Sequence, residues 1–439
     1  MGHAAELYKP SYLDDYIKII TPGMFSGKEI REIKGQLQKK MLLGEKEFFE
    51  QLLKEEVTHY LNRPLYQRIK GKKSPELYRS GYYERELEVK YGSIPDLQVP
   101  KLRAGNSEVP RKVFDRYSRY WKGLLDEFLL LYCLGHSLRD IEENLCLLLN
   151  NFISLESLNR AILSFSKRVQ DFKKEKITDP PPVLIVDGIW VKILHLTGKK
   201  KKDKKGRWRW IKVKEKKVIL TAMGVWPDGR YEVIYWEIAD GEDEESWDRF
   251  FSNLYEKGVT EEKVKLVVSD GAGGIESALR LNLPGVLHQR CQFHKIKNIR
   301  ENLKFEGLEL NPSLPLREAI KEAKKKRIRS ILRDASYIYK VDEEGEIKRR
   351  AKRFREKWEK EEPEAVKNFF TDFEKTLSYL KVDFPIKSLI KTTNLIERYH
   401  QEIRRKTREI GCFKSERGCE VVFYLITVRE NAKHLSQPP

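Results

Sequence analysis

PVLIVDGIWVKIL, Pro182 to Leu194, opens on four apolar side chains in a row, three of them β-branched, and then sets Asp187 inside the same run. That composition is the one expected of a strand buried on both faces of a sheet. A carboxylate in such a strand is costly unless something pairs with it. VKLVVSD, Val264 to Asp270, repeats the form, closing its apolar run on Asp270 with a glycine after it. A third acid, Glu397, stands near the start of a strongly patterned helix close to the C-terminus. Three carboxylates so remote from one another act together only if the fold gathers them into one divalent-metal site.

The chain around these acids has 439 residues, enough for roughly two to four domains. Charged residues make up 35%, against roughly 25% in ordinary domains, and the 40% hydrophobic fraction argues against disorder. A formal charge of +19 and a pI near 9.4 make a polyanion the expected large partner, because clustered Lys and Arg release counterions from phosphates. The competing explanation is a charge-rich thermophile surface; the excess of 86 basic over 67 acidic residues favours the polyanion. Five cysteines, thinly spread, give no disulfide framework, so a reducing cytoplasm is expected. No signal-peptide core is present, and the longest apolar runs fall short of the ~20 residues that span a bilayer.

In chain order, residues 1–75 read as helical and basic with no chemistry of their own, and residues 81–105 as a β-hairpin with a basic exit that either lies along a phosphate backbone or simply connects; 1–110 are expected to form an N-terminal DNA-binding region. Residues 111–178 take a helical period. Gly135 ends one helix, Ser137 with Asp140 opens the next with capping-box spacing, and Ser154 caps a third that turns Asn159, Arg160, Lys167 and Arg168 outward. This is the pattern of a helix-turn-helix reader of DNA, or of an ordinary three-helix packing unit. Asp179-Pro180-Pro181-Pro182 forms a stiff joint and the expected domain boundary.

Beyond it, GKKKKDKKGRWRW, residues 198–210, reads as a loop in which Lys204, Arg207 and Arg209 alternate with two tryptophans. Such a loop is either merely solvated or able to hold a phosphate backbone and stack an unpaired base. Strands at Lys217–Val225 and Tyr231–Ile238, a helix, the strand ending at Asp270, a short helix and a strand from Gly285 to Cys291 follow. Three strands, helix, strand, helix, strand is the order of a ribonuclease H-like domain, an α/β fold on a five-stranded mixed sheet. Its first part covers 179–300. Residues 301–390 are expected to form an all-helical insertion and 391–439 to complete the domain.

KTTNLIERYHQEIRRKTREIGCF, residues 391–413, carries Glu397. Asn394 is the expected N-cap, which would make Glu397 a capping-box residue. Glu397 also heads a helical face that continues through Gln401, Arg404, Arg405 and Arg408, with Ile396, Tyr399, Ile403 and Ile410 as the apolar stripe. An acid leading an arginine row suits a catalytic edge that runs into a phosphate track.

These motifs resemble the Mutator-type transposases, a family that includes many bacterial insertion-sequence enzymes. The resemblance rests on Thr392-Thr393-Asn394 with Ile396-Glu397, Ile403-Arg404, Thr407-Arg408, Gly411 and Phe413. Ser269-Asp270-Gly271, Cys291-Gln292-Phe293-His294 with Asn298, and Gly81-Tyr82-Tyr83 with Arg85 and Val99-Pro100 support it. It implies a DDE site of Asp187, Asp270 and Glu397 on a ribonuclease H-like fold, with Cys291 and His294 nearby. Lys101 and Lys406 stand where arginine is expected, and the first 75 residues do not align.

Hard oxygen ligands would suit Mg²⁺ or Mn²⁺, two ions about 3.5 to 4 Å apart, cutting transposon ends and joining them to target DNA. The implied partners are terminal inverted repeats, target DNA and a second copy that synapses the ends, with the protein cytoplasmic and associated with the nucleoid. A purely hydrolytic nuclease of the same fold and a DNA-binding protein without catalysis are the alternatives. Cys291 and His294 also form half of a zinc-site pattern, which His288, Cys412 or Cys419 would have to complete.

Overall fold

The structure is a computed structural model and describes residues 27–62, 77–89, 92–104, 128, 131–132, 136–142, 155–202, 204, 206–271 and 273–435. Contacts divide the chain into two units, Met1–Ser164 and Phe165–Pro439.

In the first unit, helix α1 (Gly27–Leu61) packs on an antiparallel hairpin of β1 (Leu77–Val89) and β2 (Gly92–Ala104). Phe49 and Leu53 of the helix bury against Leu87, Val89, Ile94, Leu97 and Val99. Lys46 Nζ donates to Asp96 Oδ2 at 2.6 Å, and Glu50 Oε1 accepts from Gln98 N at 3.1 Å, fixing the helix across the strands. Farther on, Ser137 and Asp140 exchange hydrogen bonds at 2.9 and 3.1 Å, the reciprocal cap expected from their spacing. Helix α2 (Leu155–Leu163) follows, with Arg160 exposed. Ser154 and half of the expected helix-turn-helix region, 111–178, lie outside the described residues.

The second unit begins with α3 (Ser166–Lys174), ahead of the Pro180–Pro182 joint at which the sequence puts the boundary. A buried ammonium joins α3 to this unit. Lys257 Nζ donates to the carbonyls of Phe172, Lys173 and Glu175 at 2.8, 3.3 and 2.5 Å, filling acceptors left open at the end of α3.

Strands β3 (Val183–Lys202), β4 (Trp208–Val225) and β5 (Tyr231–Ala239) are followed by α4 (Glu244–Glu256), β6 (Leu266–Ser269), α5 (Gly273–Asn282), β7 (Leu287–Arg290) and α6 (Gln292–Glu301). The sheet order is β5-β4-β3-β6-β7, antiparallel across β5-β4-β3 and parallel across β3-β6-β7. Val183 to Val186 are all buried, as a strand covered on both faces requires. On one face Trp247, Phe250, Phe251 and Leu254 of α4 meet Leu184, Val186, Leu220, Ile275 and Leu279. At about 1.5–3 kcal/mol for each large apolar side chain buried, this layer is a principal source of stability.

Between β7 and the last two helices the regular elements are all helical: α7 (Leu316–Ile338), α8 (Glu344–Trp358), α9 (Pro363–Phe370) and 3₁₀ stretches at Phe373–Lys381 and Lys387–Leu389. Gln289 of β7 ties this segment to the sheet, donating to Thr376 O at 2.8 Å and accepting from Tyr379 N at 2.9 Å. Helices α10 (Asn394–Ile410) and α11 (Glu416–Leu435) complete the chain. Among the described residues no helix is long and apolar enough to cross a membrane.

One expectation is overturned here. Residues 198–202 and 208–210 are strand and not loop, because β3 and β4 go on pairing as far as Lys202↔Trp208. Ladder hydrogen bonds join backbones, so a lysine run extends a strand without leaving an apolar pattern to read. Only the turn near Lys204 and Gly206 separates the two strands.

Replacing Lys257 with Met is expected to leave three carbonyls unsatisfied and to cost about 2–4 kcal/mol, measured by urea denaturation.

Candidate active site

The parallel register of β3 and β6 brings two of the acids level. Val183 pairs with Leu266 and Ile185 with Val268, an offset of 266 − 183 = 83; 270 − 187 is also 83, so Asp270 falls opposite Asp187, one residue past the end of β6. β7 extends the row. Leu266 pairs with Leu287 and Ser269 with Arg290, so the next position, Cys291, lies beside Asp270, and Cys291 N donates to Ser269 O at 2.7 Å. Adjacent strands run about 4.8 Å apart, which makes Asp187, Asp270 and Cys291 neighbours along one line.

Helix α10 lies over the face that this row shares. At its head the buried Thr393 donates its backbone N–H to Cys291 Sγ at 3.4 Å. At its tail Phe413 N donates to Lys192 O at 2.9 Å and Leu194 N to Phe413 O at 2.8 Å, returning the chain to β3. Between them His400, fully buried, brings Nδ1 to 3.2 Å from Asp187 Oδ2 without hydrogen-bond alignment, and Nε2 to 3.4 Å from Thr221 Oγ1, the residue opposite Asp187 on β4. Asp187 Oδ1 accepts from Gly188 N at 2.9 Å.

Glu397 therefore hangs from a helix fixed at three points. The N-cap is Thr393 and not Asn394, which moves Glu397 one place beyond the capping-box position. Its carboxylate is bound instead by the Thr393 hydroxyl, 2.9 Å from Oε1, with His294 Nε2 at 3.8 Å. The same hydroxyl stands 3.3 Å from His294 Nδ1 and 3.4 Å from Cys291 Sγ. Thr393 thus joins the Cys-x-x-His pair to the glutamate. A hydrogen bond with Cys291, more than any other influence, raises the His294 pKa, and the charges of Cys291, Glu397 and Asp270 add to it against the opposing effect of burial. Burial, the largest influence on the Cys291 thiol, pushes it up, but hydrogen bonds with His294 and Thr393 outweigh it and leave the thiol lowered.

A fourth carboxylate approaches from the other face. Glu242, in the turn before α4, lies so close over Gly188 that a Cβ there would collide with Glu242 Oε1. Its pKa is raised first by burial, then by the charges of Asp270 and Asp187, against a hydrogen bond with the Trp190 side chain. Gly271, just after the second acid, has φ 92°, and the Arg290 side chain occupies the space a Cβ would need. Arg290 Nη1 in turn donates to Asp372 Oδ2 at 3.2 Å. His288 is bound at 2.8 Å to Ser269 Oγ, and burial lowers its pKa to about 4, so it stays neutral at ordinary pH.

Asp187, Asp270, Glu397, Cys291 and His294 thus belong to one neighbourhood. Among the described residues no group of three or more His, Cys, Asp or Glu side chains is placed to hold a metal ion as it stands. Arg404, Arg405 and Arg408 are exposed on α10, Arg405 lying 3.8 Å from Glu402. Lys204, Arg207 and Arg209 are exposed at the β3–β4 tip. Glu242 and His400 escape a reading of the sequence. Glu242 is submerged in the acidic run of residues 242–245, and the one available clue to His400 is its place a helical turn after Glu397.

The Mutator-family transposase model matches residues 28–307 and 315–435. The chain belongs to the Mutator family of transposases. It is similar to the transposase for insertion sequence element IS256 in transposon Tn4001 of Staphylococcus aureus, 28% identical over 376 residues that cover 84% of each chain. The transposase for ISRM5 of Rhizobium meliloti is 25% identical over 80% of this chain and 78% of its own. That for IS905 of Lactococcus lactis is 25% identical over 87% and 85%. Among solved structures, a chain of the Drosophila P element transposase strand transfer complex covers 74% of this chain and 81% of its own at 13% identity; its TM-score of 0.29 is too low to carry an argument. This family member is a transposase built on a mixed α/β fold.

Because the Cys291 hydrogen bond is the main cause of the raised His294 pKa, Cys291→Ser is expected to bring it down, as measured by imidazole NMR in chelator-treated protein. A histidine raised on folding stabilises below its unfolded pKa, roughly 6.5, and loses that contribution as pH rises through the folded value. The variant is therefore expected to melt lower than the parent chiefly on the acid side of neutrality.

Proposed function

We propose that this transposase cuts the ends of its own element and joins them to target DNA at a DDE site of Asp187, Asp270 and Glu397, on a ribonuclease H-like domain interrupted by the helical segment 301–390. The observation that carries this reading is the register that levels Asp187 with Asp270, under a helix that delivers Glu397 to the same neighbourhood.

The donor set fits hard divalent cations. Carboxylate oxygens suit Mg²⁺ or Mn²⁺, and the upward push that Asp270 and Asp187 exert on Glu242 is a repulsion that a cation would relieve. Asp187, Asp270 and Glu397 would hold two such ions. When bound, these would activate water or a DNA 3′-hydroxyl and stabilise the leaving oxygen during in-line attack on phosphorus. The chain's own residues set the stage. Gly188 N holds one oxygen of Asp187 while His400 Nδ1 lies 3.2 Å from the other, and the Thr393 hydroxyl fixes one oxygen of Glu397 and leaves the other for a ligand. His294, beside Glu397, offers a positive edge to a phosphate when it carries its proton.

DNA is the partner in this reading. The terminal inverted repeats would be held by the basic N-terminal unit, including the expected helix-turn-helix with Arg160. Arg404, Arg405 and Arg408 would line the DNA path on α10, and a second copy of the chain would synapse the two ends. Such work belongs in the cytoplasm, at the nucleoid.

Asp187→Asn, Asp270→Asn and Glu397→Gln are each expected to lower Mg²⁺-dependent cleavage and joining of an end fragment by about 10²–10³-fold or more while DNA binding persists. A Glu397→Gln protein that joins ends at the parental rate would sink the assignment. Products that are nicked but never joined would turn it toward a hydrolytic nuclease.

A further inference from the structure

The part of the fold that this chemistry leaves unused is the arm formed by β3 and β4. The last β4–β5 pair is Val218↔Ala239; beyond it β3 and β4 pair with each other from Val191↔Lys217 to Lys202↔Trp208. Apart from the bridge of Ile193 to Phe413, no other strand pairing reaches this stretch among the described residues. At about 3.3 Å per residue the arm is roughly 40 Å long.

Its two faces differ at the base. Val191 and Ile193 are buried, whereas Trp190, Lys192, Lys212, Lys214 and Lys216 are exposed on the other side. On that side Lys192 faces Lys216 directly across the strands; farther out, on the opposite face, Lys201 faces Arg209. Like charges in directly opposed positions destabilise a ladder, and the ribbon holds them with only Asp203 and Glu215 as acids among residues 198–217. A polyanion laid along the arm would remove that repulsion. Near the tip the opposed pairs are Lys200 with Trp210 and Lys202 with Trp208, each ammonium lying over its ring at 4.4 and 5.3 Å from the centroid. The rings nevertheless remain 51% and 65% exposed. Trp190, at the inner end and also 51% exposed, lies beside Glu242, the carboxylate on this face of β3, where the track begins.

We propose that the arm is a rail for a DNA strand leaving the carboxylate site. Lys192, Lys212, Lys214 and Lys216 take successive phosphates, and Trp208 and Trp210 stack on unpaired bases at the far end. Charge decides the class of partner, because a protein surface that covered the tryptophans would also have to neutralise the surrounding lysines. The inference rests on the proposed action on DNA and adds where the strand runs and that part of it is unpaired.

The test uses the full chain with fluorescently labelled single-stranded and duplex oligonucleotides, chelator present so that nothing is cut, across a salt series. Trp208→Ala with Trp210→Ala is expected to weaken single-strand binding about 10-fold or more and duplex binding little. Changing Lys192, Lys212, Lys214 and Lys216 together to Gln is expected to weaken both and to flatten the slope of log K against log salt by about 3. Melting temperatures near the parent's would show the arm still folded. Parental affinity and slope in both variants, with cleavage still lost in Asp187→Asn, would overturn the rail and leave the active-site reading intact. Equal loss on single strand and duplex in the tryptophan variant would overturn the stacking. A parent protein that binds neither oligonucleotide would overturn the rail and the DNA reading together.

Discussion

The candidate site depends on the parallel pairing of β3 with β6. A slip of one residue would turn every side chain of β6 to the opposite face and send Asp270 away from Asp187. The register is held by what surrounds it. Val183 to Val186 and Leu266 to Ser269 are buried throughout, and Gln289 on the neighbouring strand is locked from the helical segment by Thr376 and Tyr379. The hydrophobic layer under α4 and α5 thus fixes the position of two polar groups that contribute nothing favourable to it.

Those groups oppose the fold. Burial first, and then the charges of Asp270 and Asp187, raise the Glu242 carboxyl, and the Gly188 backbone N–H supports one oxygen of Asp187. His400 and Thr221 stand behind Asp187, and Thr393 with the Cys291–His294 pair stands behind Glu397. Apart from the Gly188 N–H on the same strand, these supports come from an element other than the one bearing the acid, or from the cap of its helix.

The same two strands serve both ends of this design. At their inner ends β3 and β4 carry Asp187 and Thr221 in the centre of the sheet; at their outer ends they form a lysine and tryptophan ribbon. Phe413 marks the changeover, since its bridge to Ile193 is where the last packed layer stops. An acidic centre and a basic arm on one pair of strands, whose register shifts between Leu196 and Lys200, place opposite potentials along a single path, which suits a ligand that must be gripped along its length and attacked at one point.

By itself the sequence determined the strands that bear Asp187 and Asp270, the amphipathic helix with Glu397, the helical character of 301–390 and, through its motifs, the family. All of these are local signals, since an apolar run, a helical period or a cap is written in adjacent residues. It misread the arm as a loop because lysines carry no alternation, and it misplaced the cap of α10 by one residue. Only the tertiary structure decided that Asp270 is level with Asp187, that His400 stands behind an acid more than two hundred positions earlier, and that Glu242 closes in over Gly188. Contacts of that kind are set by strand register and helix docking, which depend on the packing of the whole unit and leave no trace in the spacing of the residues that meet.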